Sequence, residues 1–111
     1  MLRLWVWLVA PAGVLVGLAA LAQGTEIAPE LWDRPRTGRS VLEQESVKRA
    51  VLAALAKPDA QIVLHHPPGQ EPQVQAEELR SWLVALAIDS RRIALRSDGA
   101  SGAPMRIEIV P

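Results

Sequence analysis

The stretch Gln61-Ile62-Val63-Leu64-His65-His66-Pro67-Pro68-Gly69 decides how this chain folds. Ile62, Val63 and Leu64 are apolar in succession, so a strand here meets apolar surroundings on both faces and belongs at the centre of its sheet. It stops at Pro67-Pro68, because two residues without amide donors cannot continue a hydrogen-bonded ladder. Upstream, Val47, Ala50, Val51, Ala54 and Leu55 recur at helical spacing and form one apolar stripe. Ser40 followed by Glu43 reads as the capping box that opens this helix. Lys57 suits the negative end of its dipole, and Pro58 blocks its continuation. Downstream, a second helix is expected over 73–87. Leu79, Trp82, Leu83 and Leu86 line one face, with Val74 and Ala76 near the start. Glu77, Glu78 and Arg80 fall mainly on the other side, and Asp89 closes the helix.

Two more strands follow. Residues 92–96 place Ile93 and Leu95 inward. Residues 105–110 alternate, with Met105, Ile107 and Ile109 inward and Arg106 and Glu108 outward. The polar, glycine-containing connection over 97–104 predicts that these two strands pair as a hairpin, their outward charges facing across it. The strand–helix–strand step before it should be a right-handed parallel crossover. The expected fold class is therefore α+β: a small mixed sheet with two helices on one face, in α-β-α-β-β order, over residues 40–111. Residues 23–39 hold Pro29, Pro35 and Gly38 and show no apolar period, so they read as a linker or an irregular first element. Trp32 stands out there. Exposure of its indole is costly, so it is expected to dock on the domain; the functional alternative is an anchor for a partner.

Residues 1–22 read as a targeting or membrane segment. Arg3 supplies a positive start, no charge occurs over 4–21, and Ala20-Leu21-Ala22 fits the small-x-small pattern of a cleaved signal peptide. A retained anchor is the alternative, since the run approaches the about 20 residues a spanning helix needs. Trp5 and Trp7 would then suit an interfacial belt. Arg34, Arg36 and Arg39 follow the segment closely, against the positive-inside expectation for an anchor, which favours cleavage. Either way the remainder is expected in the periplasm or on the periplasmic face of the inner membrane.

Composition limits the chemistry. The chain has 111 residues, 12 basic and 12 acidic side chains, net charge zero and no cysteine. Thiolate metal sites, thiol nucleophiles and disulfides are excluded. Without a basic stripe to neutralise phosphates, a nucleic-acid partner is not expected. His65 and His66 are the only metal candidates, with Glu71 as a conceivable third ligand, but adjacent strand residues point to opposite faces. No metal or cofactor is therefore expected. Ser46 or Ser81, His65 or His66, and Asp89 or Asp98 form a triad only on paper, with no nucleophile elbow behind them. Gly99 and Gly102 lie in a turn and do not precede a helix, so they make no phosphate loop. Glu77 and Glu78 read as a solvated face. The expectation is a protein that is not an enzyme and acts by protein–protein contact in an envelope complex. Trp32, His66, Pro67 and Pro68 are the candidate contact residues, because rigid loops and aromatic anchors build interaction surfaces.

Three stretches carry a family resemblance. Ala87-Ile88-Asp89-Ser90-Arg91-Arg92-Ile93 resembles the segment after the long helix of the outer-membrane protein A (OmpA-like) C-terminal domain family. Met105-Arg106-Ile107-Glu108-Ile109 is similar to that family's closing strand, and residues 62–66 sit where it has a strand leading into its ligand loop. The resemblance covers residues 40–110 and implies an α+β domain associated with peptidoglycan. It also implies a departure. The family's ligand-gripping Asp falls at Pro67 or Pro68, and its Arg falls at Gln75, so the charge-assisted grip is missing. Glu71 and Arg80 are the nearest charged substitutes, giving Glu71, Gln75 and Arg80 as a rearranged ligand set.

Overall fold

The computed structural model describes residues 25–111. These form a small α+β fold with three helices and a three-stranded mixed sheet. A 3-10 turn over Pro29–Asp33 precedes helices α1 (Gly38–Leu42) and α2 (Glu45–Ala56). Strand β1 (Gln61–His65), helix α3 (Gln70–Ala85), a 3-10 turn over Ser90–Arg92, and strands β2 (Ile93–Arg96) and β3 (Arg106–Val110) follow. The expected segment over 1–22 lies outside the described residues.

The strand order is β2-β1-β3, with β1 parallel to β2 and antiparallel to β3. The all-apolar β1 thus has a neighbour on each edge, and Ile62, Val63 and Leu64 are all buried. Ile62 lies opposite Ile93 and Ile109, and Leu64 opposite Leu95 and Ile107, so the three strands present one continuous apolar face. That face shares a core with Val41 of α1, Val47, Ala50, Val51 and Ala54 of α2, and Ala76, Leu79 and Leu83 of α3.

The expected hairpin between β2 and β3 does not form, because β1 lies between them. The connection over 97–105 makes this possible by crossing the end of β1. The Gly99 amide donates to the His66 carbonyl at 3.0 Å. A Cβ at Gly99 would sit 2.9 Å from the His66 carbonyl carbon and 3.0 Å from the Pro67 nitrogen, so only glycine lets the chain pass there. The outer edge of β3 is itself covered. Glu26 bridges Arg106, the Ile27 amide donates to the Met105 carbonyl, and the Ile107 amide donates to the Thr25 carbonyl. Ile27 and Leu31 are buried in the core, so residues 25–31 are an integral, irregular part of the domain.

The first helix is broken where a single one was expected. Thr37, not Ser40, is the cap: its hydroxyl accepts from the Ser40 amide while the Ser40 hydroxyl accepts from the Thr37 amide. Gln44 then adopts an extended conformation and separates α1 from α2. Its side chain accepts from the Ala28 amide at 3.1 Å, and Ser46 Oγ donates to the Glu26 carbonyl at 2.8 Å. The break therefore serves to tie residues 25–28 to the start of α2. Leu55 also departs from expectation. It is 53% exposed, because the stripe of Val47, Ala50, Val51 and Ala54 leaves it on the flank.

Helix α3 starts at Gln70, earlier than expected, because Pro72 lies in its first turn, where a missing amide leaves no intrahelical bond unmade. Val74 is exposed, so it contributes nothing to the buried face. At the other end the helix closes on Ala87, not Asp89. The Ile88 amide donates to the Leu83 carbonyl and the Ala87 amide to the Val84 carbonyl, with Ala87 at φ 79°. This is a Schellman closure with alanine in the left-handed position that usually holds glycine. Asp89 instead caps the next 3-10 turn by accepting from the Arg91 amide at 2.9 Å. Arg92 belongs to that turn and not to β2. Its Nε donates to the Ala60 carbonyl at 2.9 Å, and its Nη2 donates to the Ala54 and Lys57 carbonyls at 2.8 Å each. It thereby holds the C-terminal end of α2 against β2.

Candidate functional site: a proline-walled cleft at Trp32

Trp32 is placed by the 3-10 turn that Pro29 opens. The turn buries Leu31 and leaves Trp32 partly covered, packed against the core. Arg36 then fixes the indole. Its guanidinium lies 5.4 Å from the Trp32 ring centroid, within cation–π range. Its Nε and Nη2 each donate to one Glu78 carboxylate oxygen at 2.7 Å, the paired geometry that suits a planar guanidinium. Arg36 Nη1 also donates to the Trp32 and Arg34 carbonyls, and Trp82 Nε1 donates to Glu78 at 3.2 Å. The hydrogen bond from Arg36 holds the Glu78 carboxyl below the usual carboxylate range, and the same bond raises the Arg36 guanidinium. The pair joins two segments 42 residues apart and pins residues 32–36 to α3.

Beside this pinned indole lies an open cleft of about 250 Å³. Trp32 and Pro29 form one wall. Pro67 and Pro68, where β1 ends, and Pro72 and Gln75 of α3 form the second. The third comes from Gly102, Ala103, Pro104 and Met105 at the end of the β2–β3 connection. Five prolines give walls with almost no conformational freedom to lose on binding. None of the residues lining the cleft is ionisable. The cleft can therefore shelter an apolar segment and offer it an indole and an amide. It has no group on its walls to act as general acid, general base or nucleophile.

The structure brings together four of the candidate residues, Trp32, Pro67, Pro68 and Gln75. His66 is not at the surface. It is buried beneath the loop, its Nδ1 2.8 Å from the Pro67 carbonyl oxygen, and so supports the wall from behind. Glu71 and Gln75 line an adjoining shallow groove with Trp32, Arg36 and Glu78. Arg80 is elsewhere. It lies nine residues, or two and a half turns, beyond Glu71 and so on the opposite side of α3, and its Nη2 reaches the Ser90 carbonyl at 3.4 Å. Glu71, Gln75 and Arg80 therefore do not converge as a ligand set.

His65 and His66 also face apart. His65 Nδ1 lies 2.8 Å from Asp98 Oδ1, and its Nε2 lies 3.1 Å from Glu108 Oε1. The carboxylates approach opposite edges of the ring, which leaves no shared point for a cation. Among the described residues no three His, Cys, Asp or Glu side chains are placed to hold a metal ion. Neither His65 nor His66 is a loop histidine in solvent.

Several residues of the site carried no signal in the sequence. The pairing of Arg36 with Glu78 depends on the tertiary path of residues 29–36. Pro104 and Met105 reach the cleft only because the connection crosses β1. Compared with known proteins, the chain matches no family model, no curated protein and no solved structure.

Proposed function

We propose that this chain is a non-enzymatic cell-envelope accessory or assembly protein that acts by protein–protein contact, with the Trp32 cleft as its contact site. The observation that carries this is the cleft itself: a pinned, partly exposed indole facing rigid proline walls, with no ionisable lining. Such a surface gains affinity by covering apolar area without ordering flexible side chains. The uncharged run over 4–22 supports export to the periplasm or retention at the periplasmic face of the inner membrane, with the membrane engaged through that segment alone. The partner is then a member of an envelope protein complex. Residues 40–111 are read as a degenerate OmpA-like domain of α-β-α-β-β plan with its helices on one sheet face, α1 and α2 together standing for the first helix.

Peptidoglycan association through a rearranged site is the alternative. Its support is the groove that Glu71 and Gln75 share with Arg36 and Glu78; Arg80 lends none. Two experiments decide between these. A C-terminal reporter should be active only outside the cytoplasm, and activity confined to the cytosol would end both readings. Purified sacculi should leave the protein in the supernatant. Sedimentation that is lost on Glu71→Ala would favour the cell-wall ligand and overturn the protein-contact proposal.

A further inference from the structure

We propose that His65 is a protonation-controlled clasp: its doubly protonated ring joins Asp98 to Glu108 and so fastens the connection over 97–105 that forms one wall of the Trp32 cleft. The clasp is read from its own geometry; only its consequence for binding rests on the cleft being the contact site.

His65 ends β1, one residue on from the core-facing Leu64, and so lies on the opposite face of the sheet. Its side chain is 11% exposed and sits between Asp98, from the connection, and Glu108, from β3. An ionised carboxylate only accepts hydrogen bonds. A neutral imidazole has one N–H and one lone pair, so it satisfies one carboxylate and sets its lone pair against the other. Only the imidazolium donates to both. The Asp98 carboxyl is held below the ordinary value, first by the hydrogen bond from His65. The other charges on this face are Arg96 of β2 and Arg106 of β3, the register neighbours of His65, and Glu26, bridged to Arg106 across the outer edge of β3. All three are exposed, so solvent screens their action on the ring.

The clasp is mechanically joined to the cleft. Asp98 is followed by Gly99, which crosses the His66–Pro67 peptide with no space to spare, and residues 102–105 then form the cleft wall. While His65 holds both carboxylates, the start of the connection is tied to β1 and β3 at once. When the ring loses one proton, it can donate to only one of the two carboxylates, so the tie between the connection and β3 through the ring is broken and the connection depends more on the Gly99 amide and the Met105 carbonyl. Histidine is the side chain that makes such a change between about pH 5 and pH 8.

The test is nuclear magnetic resonance on the full chain in detergent micelles. Across a pH titration the His65 ring nitrogens should both report N–H at the acid end and one bare nitrogen at the basic end. Amide exchange protection at Gly99 and Ala103, whose amides are hydrogen-bonded, should fall roughly tenfold over the same interval, the order expected for one lost charge-assisted hydrogen bond. In Glu108→Gln the amide can donate to the bare Nε2 of a neutral ring. Protection should then remain high and lose its pH dependence. In His65→Gln the dependence should vanish; dependence that persists there would overturn the clasp. A ring nitrogen that stays bare at the acid end, or wild-type protection that does not change with pH, would overturn the clasp. So would a Glu108→Gln chain with low protection throughout. No readout involves a cleft ligand, so a failed cleft assignment and a failed clasp are told apart.

Discussion

Replacing Arg92 by methionine removes three hydrogen bonds while keeping most of the side chain's apolar stem. The guanidinium donates to the carbonyls of Ala54, Lys57 and Ala60, at the C-terminal end of α2 and in the turn after it. The Ala54 carbonyl, in the last turn of α2, would find its helical donor at Pro58, which has no amide, so removing Arg92 leaves it to water or to nothing, whereas the Lys57 carbonyl keeps the Ala60 amide at 3.0 Å. The contacts to Ala54 and Ala60 are part-buried; the one to Lys57 is exposed. Counting about 1–1.5 kcal/mol for each part-buried contact and nothing for the exposed one gives a loss of about 2–3 kcal/mol. For a domain of this size that lowers the Tm by about 10–20 °C. Arg92→Lys keeps the charge but not the planar fork, and it should recover less than half of the loss. Thermal and denaturant unfolding followed by far-ultraviolet circular dichroism would measure both. A methionine variant within about 0.5 kcal/mol of the parent would refute the assignment of Arg92 as the clamp on α2. A lysine variant equal to the parent would do the same for the bidentate geometry.

Three further outcomes are expected. Ala87→Gly should stabilise the fold by about 0.5–1 kcal/mol in chemical denaturation, since the left-handed backbone at φ 79° penalises any Cβ; a lower stability would show that Ala87 is not strained. Gly99→Ala should destabilise by about 2–3 kcal/mol, because its Cβ would meet the His66–Pro67 backbone, which cannot swing aside; a neutral result in the same assay would mean the connection crosses β1 less tightly. The Asp89 carboxyl is lowered to about 2 by hydrogen bonds from Arg91. A depressed acid stabilises the folded state above its unfolded pKa of 3.8, and that contribution fades as pH falls toward about 2. The acid limb of the stability–pH curve should therefore shift in Asp89→Asn, and an unchanged limb would remove Asp89 from the acid response.

The parts of this fold that were legible in the sequence are those set by local rules. Ile62-Val63-Leu64 followed by two prolines specifies a central strand that must stop. Val47, Ala50, Val51 and Ala54 specify a buried helical stripe, and both describe the structure. Strand pairing was not legible. Proximity in sequence favoured β2 with β3, whereas the apolar β1 gains more by bonding along both edges, and Gly99 is what allows the crossing. The break at Gln44 was hidden because its cause, the Ala28 amide, lies in a segment with no periodicity. The same holds for the site. Trp32, Pro67 and Pro68 announce themselves by composition. Their assembly into one cleft depends on the Arg36–Glu78 pair and on the path of residues 102–105, which no spacing rule encodes. The charged set of Glu71 and Arg80 failed for a geometric reason: two and a half helical turns put them on opposite sides of α3.

The central claim is that the Trp32 cleft contacts another envelope protein. The most direct measurement is site-specific photocrosslinking in the native host, with the probe at Pro68 or Gln75 in the cleft walls and a control probe at the exposed Val84 of α3. Both cleft positions should capture the same protein, the control should not, and Trp32→Ala should abolish capture without unfolding the domain. No adduct from either wall, or adducts indifferent to Trp32 and shared with position 84, would contradict the assignment.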